Sequence, residues 1–251
     1  MKETIFITGG TGKVGFQLVQ HFLNNGYKVL TTSRYEAKLT DMREKLKNTN
    51  HFYSLAVDIE ADHALRTIDL FCEQNNLVIN ILINNARNRD YLQIVDGKTP
   101  RDQWLNEFNL NAVVPYEWSM HFAQKDPLVL RSVINISSIY GIVAPNVHLY
   151  EDFESESPIN YGVSKAAQIH LTKELAVRMA SKGGIAVNCI SFGGIKGRVD
   201  QAFAERYAKL TPSGDMLAEE DVIGAVDFFV SNKSKQITGH NLVIDGGWTI
   251  W

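Results

Sequence analysis

Cysteine is nearly absent. Cys72 and Cys189 are the two in 251 residues, and no Cys-x-x-Cys or Cys/His spacing surrounds either. Both sit in apolar segments, so they read as reduced core thiols, not as a disulfide framework, a metal site or a nucleophile. An excess of charge is missing too. Lys and Arg number 25 against 28 Asp and Glu, a net charge of −3 with no basic block, so no nucleic-acid partner is expected. No stretch approaches the ~18 apolar residues of a membrane span, and no secretory-type hydrophobic segment precedes the first strand candidate. The expectation is a cytoplasmic protein with no membrane partner and no metal. Linkers, repeats and low-complexity tracts are also lacking, so residues 1–251 are expected to form one domain.

What is present is ordinary for a folded protein. Apolar residues make up 45% and charged residues 21%, and a chain of this length buries a core without staples. Short β-branched runs alternate with longer helical patterns. Strands are predicted at 4–8, 27–32, 52–57, 79–83, 132–137, 185–190 and 241–244, apolar at nearly every position, as strands buried on both faces should be. Helices are predicted at 13–25, 36–47, 61–75, 101–124, 161–181, 199–209 and 218–231, the first stopped by Gly26. Repeated βα alternation with right-handed crossovers implies an α/β fold: a doubly wound parallel sheet of about seven strands with helices on both faces. Two segments break the rhythm, 141–160 and 192–213. Both follow C-terminal strand ends, where open α/β sheets bind ligands, so both are expected to be substrate loops.

The first strand runs into Thr8-Gly9-Gly10-Thr11-Gly12-Lys13-Val14-Gly15, followed by a helix. Gly9, Gly12 and Gly15 answer three needs of a dinucleotide turn: a sharp bend, close approach to a pyrophosphate, and tight helix–strand packing. The helix N-terminus adds free N–H groups and positive dipole for an anion. The second strand ends Ser33-Arg34 with no carboxylate nearby to take the ribose hydroxyls. Arg34 suits a 2′-phosphate, so NADP(H) is favoured over NAD(H). Lys13 is either a further cation there or a solvated lysine. Asp58 and Asn84-Asn85-Ala86 follow the third and fourth strands, on the same edge. Tyr161 and Lys165 stand at i, i+4 and share a helix face. A free tyrosine has a pKa near ~10; an adjacent ammonium lowers it and makes a general acid/base for alcohol–ketone chemistry. Ser138 ends the fifth strand, where a hydroxyl can hold a substrate oxygen or cap a turn.

Together TGGTGKVG, NNA, NISS, YGVSK and ITGHNLVIDGG resemble the short-chain dehydrogenase/reductase family, in its order and over nearly the whole chain. The resemblance implies a Rossmann-like fold and an oxidoreductase acting on an alcohol or carbonyl. It implies that Tyr161 is the acid/base, that Lys165 lowers its pKa and binds the nicotinamide ribose, that Ser138 orients the carbonyl, and that Asn111 anchors a proton-relay water. The cofactor set it implies is Gly9, Thr11, Gly12, Lys13, Val14, Gly15, Ser33, Arg34, Asp58, Ile59, Asn85, Ala86, Tyr161, Lys165, Gly194 and Ile195. The chain departs from the family pattern in its Gly spacing, in Arg87 for the usual glycine after NNA, in Phe192 for proline and in Gly197 for threonine. Its gap between Ser138 and Tyr161 is also longer than usual.

The substrate side is set out by chemistry alone. Arg87, Arg89, His148, Lys196 and Arg198 fall in loops near the open sheet edge, either as an anion-friendly pocket for a phosphorylated or nucleotide-linked sugar or as scattered surface charge. The acidic insertion before Tyr161 resembles family members of bacterial surface-glycan and flagellin-sugar synthesis. Ser138, His148, Tyr150 and Tyr161 are the expected substrate contacts, with Glu151, Asp152, Glu154 and Glu156 turned mostly to solvent or to a neighbouring subunit. A 3-oxoacyl or general carbonyl reductase is the alternative enzyme, and a non-catalytic cofactor-sensing regulator the alternative of another class. The family and the apolar tail Gly247–Trp251 point to a homodimer or homotetramer.

Overall fold

The computed structural model describes residues 3–197 and 199–251. The strands are β1 (Thr4–Thr8), β2 (Lys28–Ser33), β3 (Phe52–Ala56), β4 (Ile79–Asn84), β5 (Ser132–Ser138), β6 (Ala186–Phe192) and β7 (Asn241–Ile244). The helices are α1 (Lys13–Asn24), α2 (Glu36–Lys45), α3 (Ala64–Gln74), α4 (Arg101–Phe108), α5 (Val114–Ala123), α6 (Phe153–Glu156), α7 (Ile159–Ala180), α8 (Gln201–Leu210) and α9 (Asp221–Val230). The seven strands form one parallel sheet in the order β3-β2-β1-β4-β5-β6-β7. This is the doubly wound, Rossmann-like α/β architecture.

The period-2 rule of a strand divides the core between the two sheet faces. Ile5 and Ile7 of β1, Ile134 and Ile136 of β5 and Ile190 of β6 pack against α1 and α9. Phe6, Val133 and Val187 point the other way, against α3, α5 and α7. Trp118 of α5 anchors that second face; it is fully buried and packs at a tilt against Phe6, ring centroids 5.2 Å apart. The central strands are apolar throughout because both faces are covered. The edge strands β3 and β7 are more exposed, having a neighbour on one side only. β1 lies between β2 and β4, and the chain reverses direction across the sheet there. Such a switch point opens a crevice at the C-terminal strand ends.

One long helix is predicted over 101–124, but the chain instead forms α4, a π-helical turn at Asn109–Val113, and α5. Pro115 explains the break. It has no N–H to give the carbonyl of Asn111, and its ring crowds that carbonyl. The ladder slips to a wider step, and the Val114 amide donates to Asn109. Asn111 sits inside this turn.

The two irregular segments are packed elements, tied to each other. Leu149 of the first, fully buried, and Ile139 just before it meet Tyr207 of the second and Trp248 of the tail in a third apolar cluster. Tyr207 stacks on Trp248 at 4.3 Å. The Arg206 Nε donates to the Leu149 carbonyl at 2.8 Å, and its guanidinium pairs with Glu151.

Candidate active site

A cleft of about 1610 Å³ runs along the C-terminal strand ends. A single small ligand usually occupies ~300–1,000 Å³, so there is room for a dinucleotide and a second molecule. The cleft gathers the candidates from seven separate stretches of chain: the glycine turn, the ends of β2, β3, β4 and β5, the start of α7 and the end of β6. Every predicted cofactor residue borders it, as do Ser138, Tyr150 and Tyr161.

The glycine turn is built for close approach. Gly9 has φ +67°, and a Cβ there would lie 2.8 Å from the Ala86 Cα. A Cβ on Gly15 would lie 2.4 Å from the Gly9 carbonyl oxygen. The Asn85 side chain staples the end of β4 to this turn, donating to the carbonyls of Thr8 and Gly9 at 3.0 and 3.2 Å. The Thr8 hydroxyl accepts from the amides of Asn85 and Ala86. Gly12 gives α1 no side-chain cap, and no acid stands in its first turn. An uncapped helix N-terminus without a carboxylate fits a pyrophosphate. Lys13 turns from the anion site to pair with Glu219 at 2.8 Å and to donate to the Lys196 carbonyl.

At the other end of the cleft Arg34 and Lys38 flank the exposed ring of Tyr35, at 5.7 and 5.0 Å. Lys38 was not expected from the sequence. Its signal was present, because residue 38 lies in the first turn of α2. Ser33 accepts from the Tyr35 amide, and Asp58 from the Glu60 amide, so both shape their turns. Gly194 and Ile195 are held against Leu217 by backbone pairing, and the Gly194 amide donates to the Tyr207 hydroxyl at 2.8 Å.

The centre of the cleft holds Tyr161. Its half-buried ring meets Tyr140 edge-on, and the Arg87 guanidinium lies 4.9 Å over its face. Burial alone would raise its pKa. The charges of Arg87 and Lys165 and a hydrogen bond with Ser138 outweigh burial and hold it below the ordinary tyrosine value. Ser138 also accepts from the Tyr140 amide at 3.2 Å. Lys165 is buried, and its three N–H bonds go to Asn111 Oδ1, the Ile136 carbonyl and Gln168 Oε1, at 2.9, 2.9 and 3.0 Å. Burial pulls its pKa down, while Tyr161 and Glu107 act to raise it. Asn111 lies behind the cleft wall and reaches the site through Lys165. Gln168, Ser164 and Glu107 escaped sequence reasoning, because a polar residue on a helix face looks solvated until its neighbours are known.

On the substrate side the wall is largely aromatic and aliphatic. Tyr150 bonds Tyr140 hydroxyl to hydroxyl at 2.8 Å and packs on Phe153 and Phe203. Of the basic residues expected there, Arg87 and Arg89 line the cleft. Lys196 is paired with Asp215, and the exposed His148 sits on a turn outside the lining. Arg198 lies outside the described residues. Glu151, Asp152, Glu154 and Glu156 are all exposed, with Glu156 at the rim. Burial pushes the thiols of Cys72 and Cys189 up to about 11 and about 12, which makes them poor nucleophiles. Among the described residues no cluster of side chains suits a metal ion, and no helix is long and apolar enough to cross a membrane.

A family model described as enoyl-(acyl carrier protein) reductase matches residues 11–249. The chain belongs to the short-chain dehydrogenase/reductase family, and it is an oxidoreductase that uses a nicotinamide cofactor to interconvert an alcohol and a carbonyl. It is 30% identical to post-translational flagellin modification protein A of Campylobacter coli, over 98% of each chain. It is 28% identical to the 3-oxoacyl-[acyl-carrier-protein] reductase FabG of Buchnera aphidicola, over 98% of this chain and 97% of the relative. A short-chain dehydrogenase of Leptospira borgpetersenii, solved with bound NAD+, superposes with a TM-score of 0.86 at 30% identity, over 99% of this chain and 93% of that one.

The positive φ and the contact with Ala86 make Gly9 the least replaceable residue of the turn. Gly9→Ala should lower both thermal stability and dinucleotide affinity, since each non-glycine residue forced to positive φ costs about 1–3 kcal/mol. A thermal melt and a cofactor titration matching the parent protein would contradict this.

Proposed function

We propose that Tyr161 is the proton donor and acceptor of the reaction and that Ser138 and Lys165 serve it. The carrying observation is that a phenol, a hydroxyl and a buried ammonium border one cleft, with the hydroxyl and the ammonium both acting on the phenol. In reduction the Tyr161 hydroxyl gives its proton to the carbonyl oxygen, while Ser138 holds that oxygen by hydrogen bonding. The phenolate left behind is stabilised by Lys165 and Arg87. In oxidation the phenolate takes the alcohol proton back. When bound, the nicotinamide supplies or accepts the hydride. The glycine turn with the N-terminus of α1 would hold the pyrophosphate, Asp58, Asn85 and Ala86 the adenosine, and Gly194 and Ile195 the nicotinamide end.

The substrate reading is a phosphorylated or nucleotide-linked sugar. The likeness to a flagellin modification protein supports it, as do Arg87 and Arg89 in the cleft, neither of which has an ion-pair partner among the described residues. The aromatic wall formed by Tyr140, Tyr150 and Phe203 and the FabG relatives favour a second reading, a 3-oxoacyl thioester. Absorbance assays with phosphosugars, sugar nucleotides and an acetoacetyl thioester separate the two. On whichever substrate turns over, Tyr161→Phe should cut the rate at least about a hundredfold, since a positioned acid/base contributes 10²–10⁴-fold. Cofactor affinity should hardly change. In the parent protein the oxidation rate should rise with pH through an ionisation lying below that of an ordinary tyrosine. A variant that keeps most of its activity would remove Tyr161 from the mechanism.

NADP(H) is the proposed cofactor, because two cations, Arg34 and Lys38, flank Tyr35 at the adenosine end. Arg34→Ala should weaken NADPH about ten- to a hundredfold and leave NADH nearly unchanged, as a charge-assisted bond is worth roughly 1.5–3 kcal/mol. Equal affinities in the parent protein, or a preference for NADH, would refute the assignment.

The working assembly is proposed to be a homodimer or homotetramer in the cytoplasm. Val113 just before α5, Tyr116 on it, Val163 and Val177 on α7, and Ile250 and Trp251 of the tail are exposed apolar side chains suited to a subunit contact. Light scattering should give at least twice the monomer mass at micromolar concentration, and a monomer there would rule this out.

A further inference from the structure

The proposed reaction makes no use of Glu107, yet this carboxylate on α4 is completely buried beside the reacting pair. Its Oε1 accepts from Asn111 Nδ2 at 2.7 Å and lies 3.5 Å from the Ser164 hydroxyl, whose proton goes to the Tyr161 carbonyl at 2.9 Å. Ser164 lies on α7 between Tyr161 and Lys165, and it too receives Asn111 Nδ2, at 3.1 Å. The opposite side of the same amide faces Lys165, whose Nζ donates to Asn111 Oδ1 at 2.9 Å. Asn111 is therefore clamped between a carboxylate and an ammonium.

The clamp has one stable arrangement. A carboxylate only accepts and an ammonium only donates. Turning the amide over would set oxygen against oxygen at Glu107 and N–H against N–H at Lys165. The two charges, acting from opposite sides, decide which way Asn111 points.

The charges also need each other. An isolated buried ion is strongly disfavoured, and Glu107 Oε2 has no hydrogen-bond partner among the described residues. The groups acting on Lys165 are Tyr161 on its own helix, Glu107 on α4, Arg87 after β4 and Cys189 on β6. Arg87 is a cation and Cys189 a buried thiol. Among these four, Glu107 is the carboxylate.

We propose that Glu107 is a positioning residue: its carboxylate orients the Asn111 amide towards Lys165 and stands behind that buried ammonium as its counter-charge. The directions of shift agree with this. Burial lowers Lys165 while Glu107 opposes the fall, and burial raises Glu107 while Lys165 opposes the rise. The consequence for catalysis rests on the assignment of Tyr161 and Lys165 as the reacting pair. The electrostatic arrangement does not, and it is tested without substrate or cofactor.

The measurement is the ionisation of Lys165, followed by NMR of its labelled ε-carbon. It is made in a Tyr161→Phe background, so that no phenol titrates beside it. Glu107→Gln keeps the size and an acceptor but loses the charge, and should move the Lys165 midpoint down by roughly one pH unit, the scale of one nearby charge. Glu107→Asp keeps the charge and should hold the midpoint near its parent value, a rescue that a space-filling role would not produce. An unmoved midpoint in Glu107→Gln overturns the proposal. If that variant does not fold, the carboxyl carbon of Glu107 is titrated in the unsubstituted protein. An ionised group at neutral pH is expected, and a protonated one overturns the proposal. Failure of the reaction assignment would look different: Tyr161→Phe would keep its turnover while the Lys165 shift remained.

Discussion

Lys165 carries a charge into the protein interior, and a buried ammonium survives only if the fold replaces its water. Three acceptors from three elements do so: Asn111 from the π-turn, the Ile136 carbonyl from β5 and Gln168 from α7. Each acceptor is pinned in turn. β5 is fixed between β4 and β6, Gln168 by its helix, and Asn111 by Glu107 and Ser164. The break between α4 and α5 belongs to the same demand. Pro115 cannot bond back to Asn111 as a regular helix requires, and the wider turn before it carries the asparagine.

The cleft follows from the reversal of strand order at β1. It places the glycine turn beside the NNA segment, and the contact is close enough that Gly9 admits no side chain. The proposed reaction site arises separately, where the end of β5 meets the first turns of α7. One rigid sheet aligns the two, so a ligand lying along the strand ends reaches both. The segments 141–160 and 192–213 border the cleft and pack on each other through Leu149, Tyr207 and Trp248. This apolar contact makes them walls of the cleft.

Arg87 shows how local chemistry can change on an unchanged frame. A glycine at this place would have no side chain to reach the tyrosine, whereas here a guanidinium lies over its face. With Lys165 the site holds two cations, and Glu107 behind Asn111 is the opposing charge. The proposed proton chemistry depends on the balance among these groups, not on the tyrosine–lysine pair alone.

Periodicity and composition by themselves determined the seven strands, the parallel doubly wound class and the order of the motifs. Buried β-branched runs and glycine-rich turns are local signals, carried by contiguous residues. The i, i+4 spacing of Tyr161 and Lys165 was legible for the same reason, since a helix turns that spacing into a shared face. Burial and long-range pairing were not legible. Glu107 in sequence is an ordinary helical acid, Gln168 an ordinary helical amide, and Arg87 one loop cation among several. Only the tertiary structure decided that Glu107 is dry, that Arg87 stands over Tyr161 while Lys196 is neutralised by Asp215, and that His148 stays outside the cleft. Those outcomes depend on partners more than fifteen residues away along the chain or on the shape of a folded wall, and no local pattern encodes either.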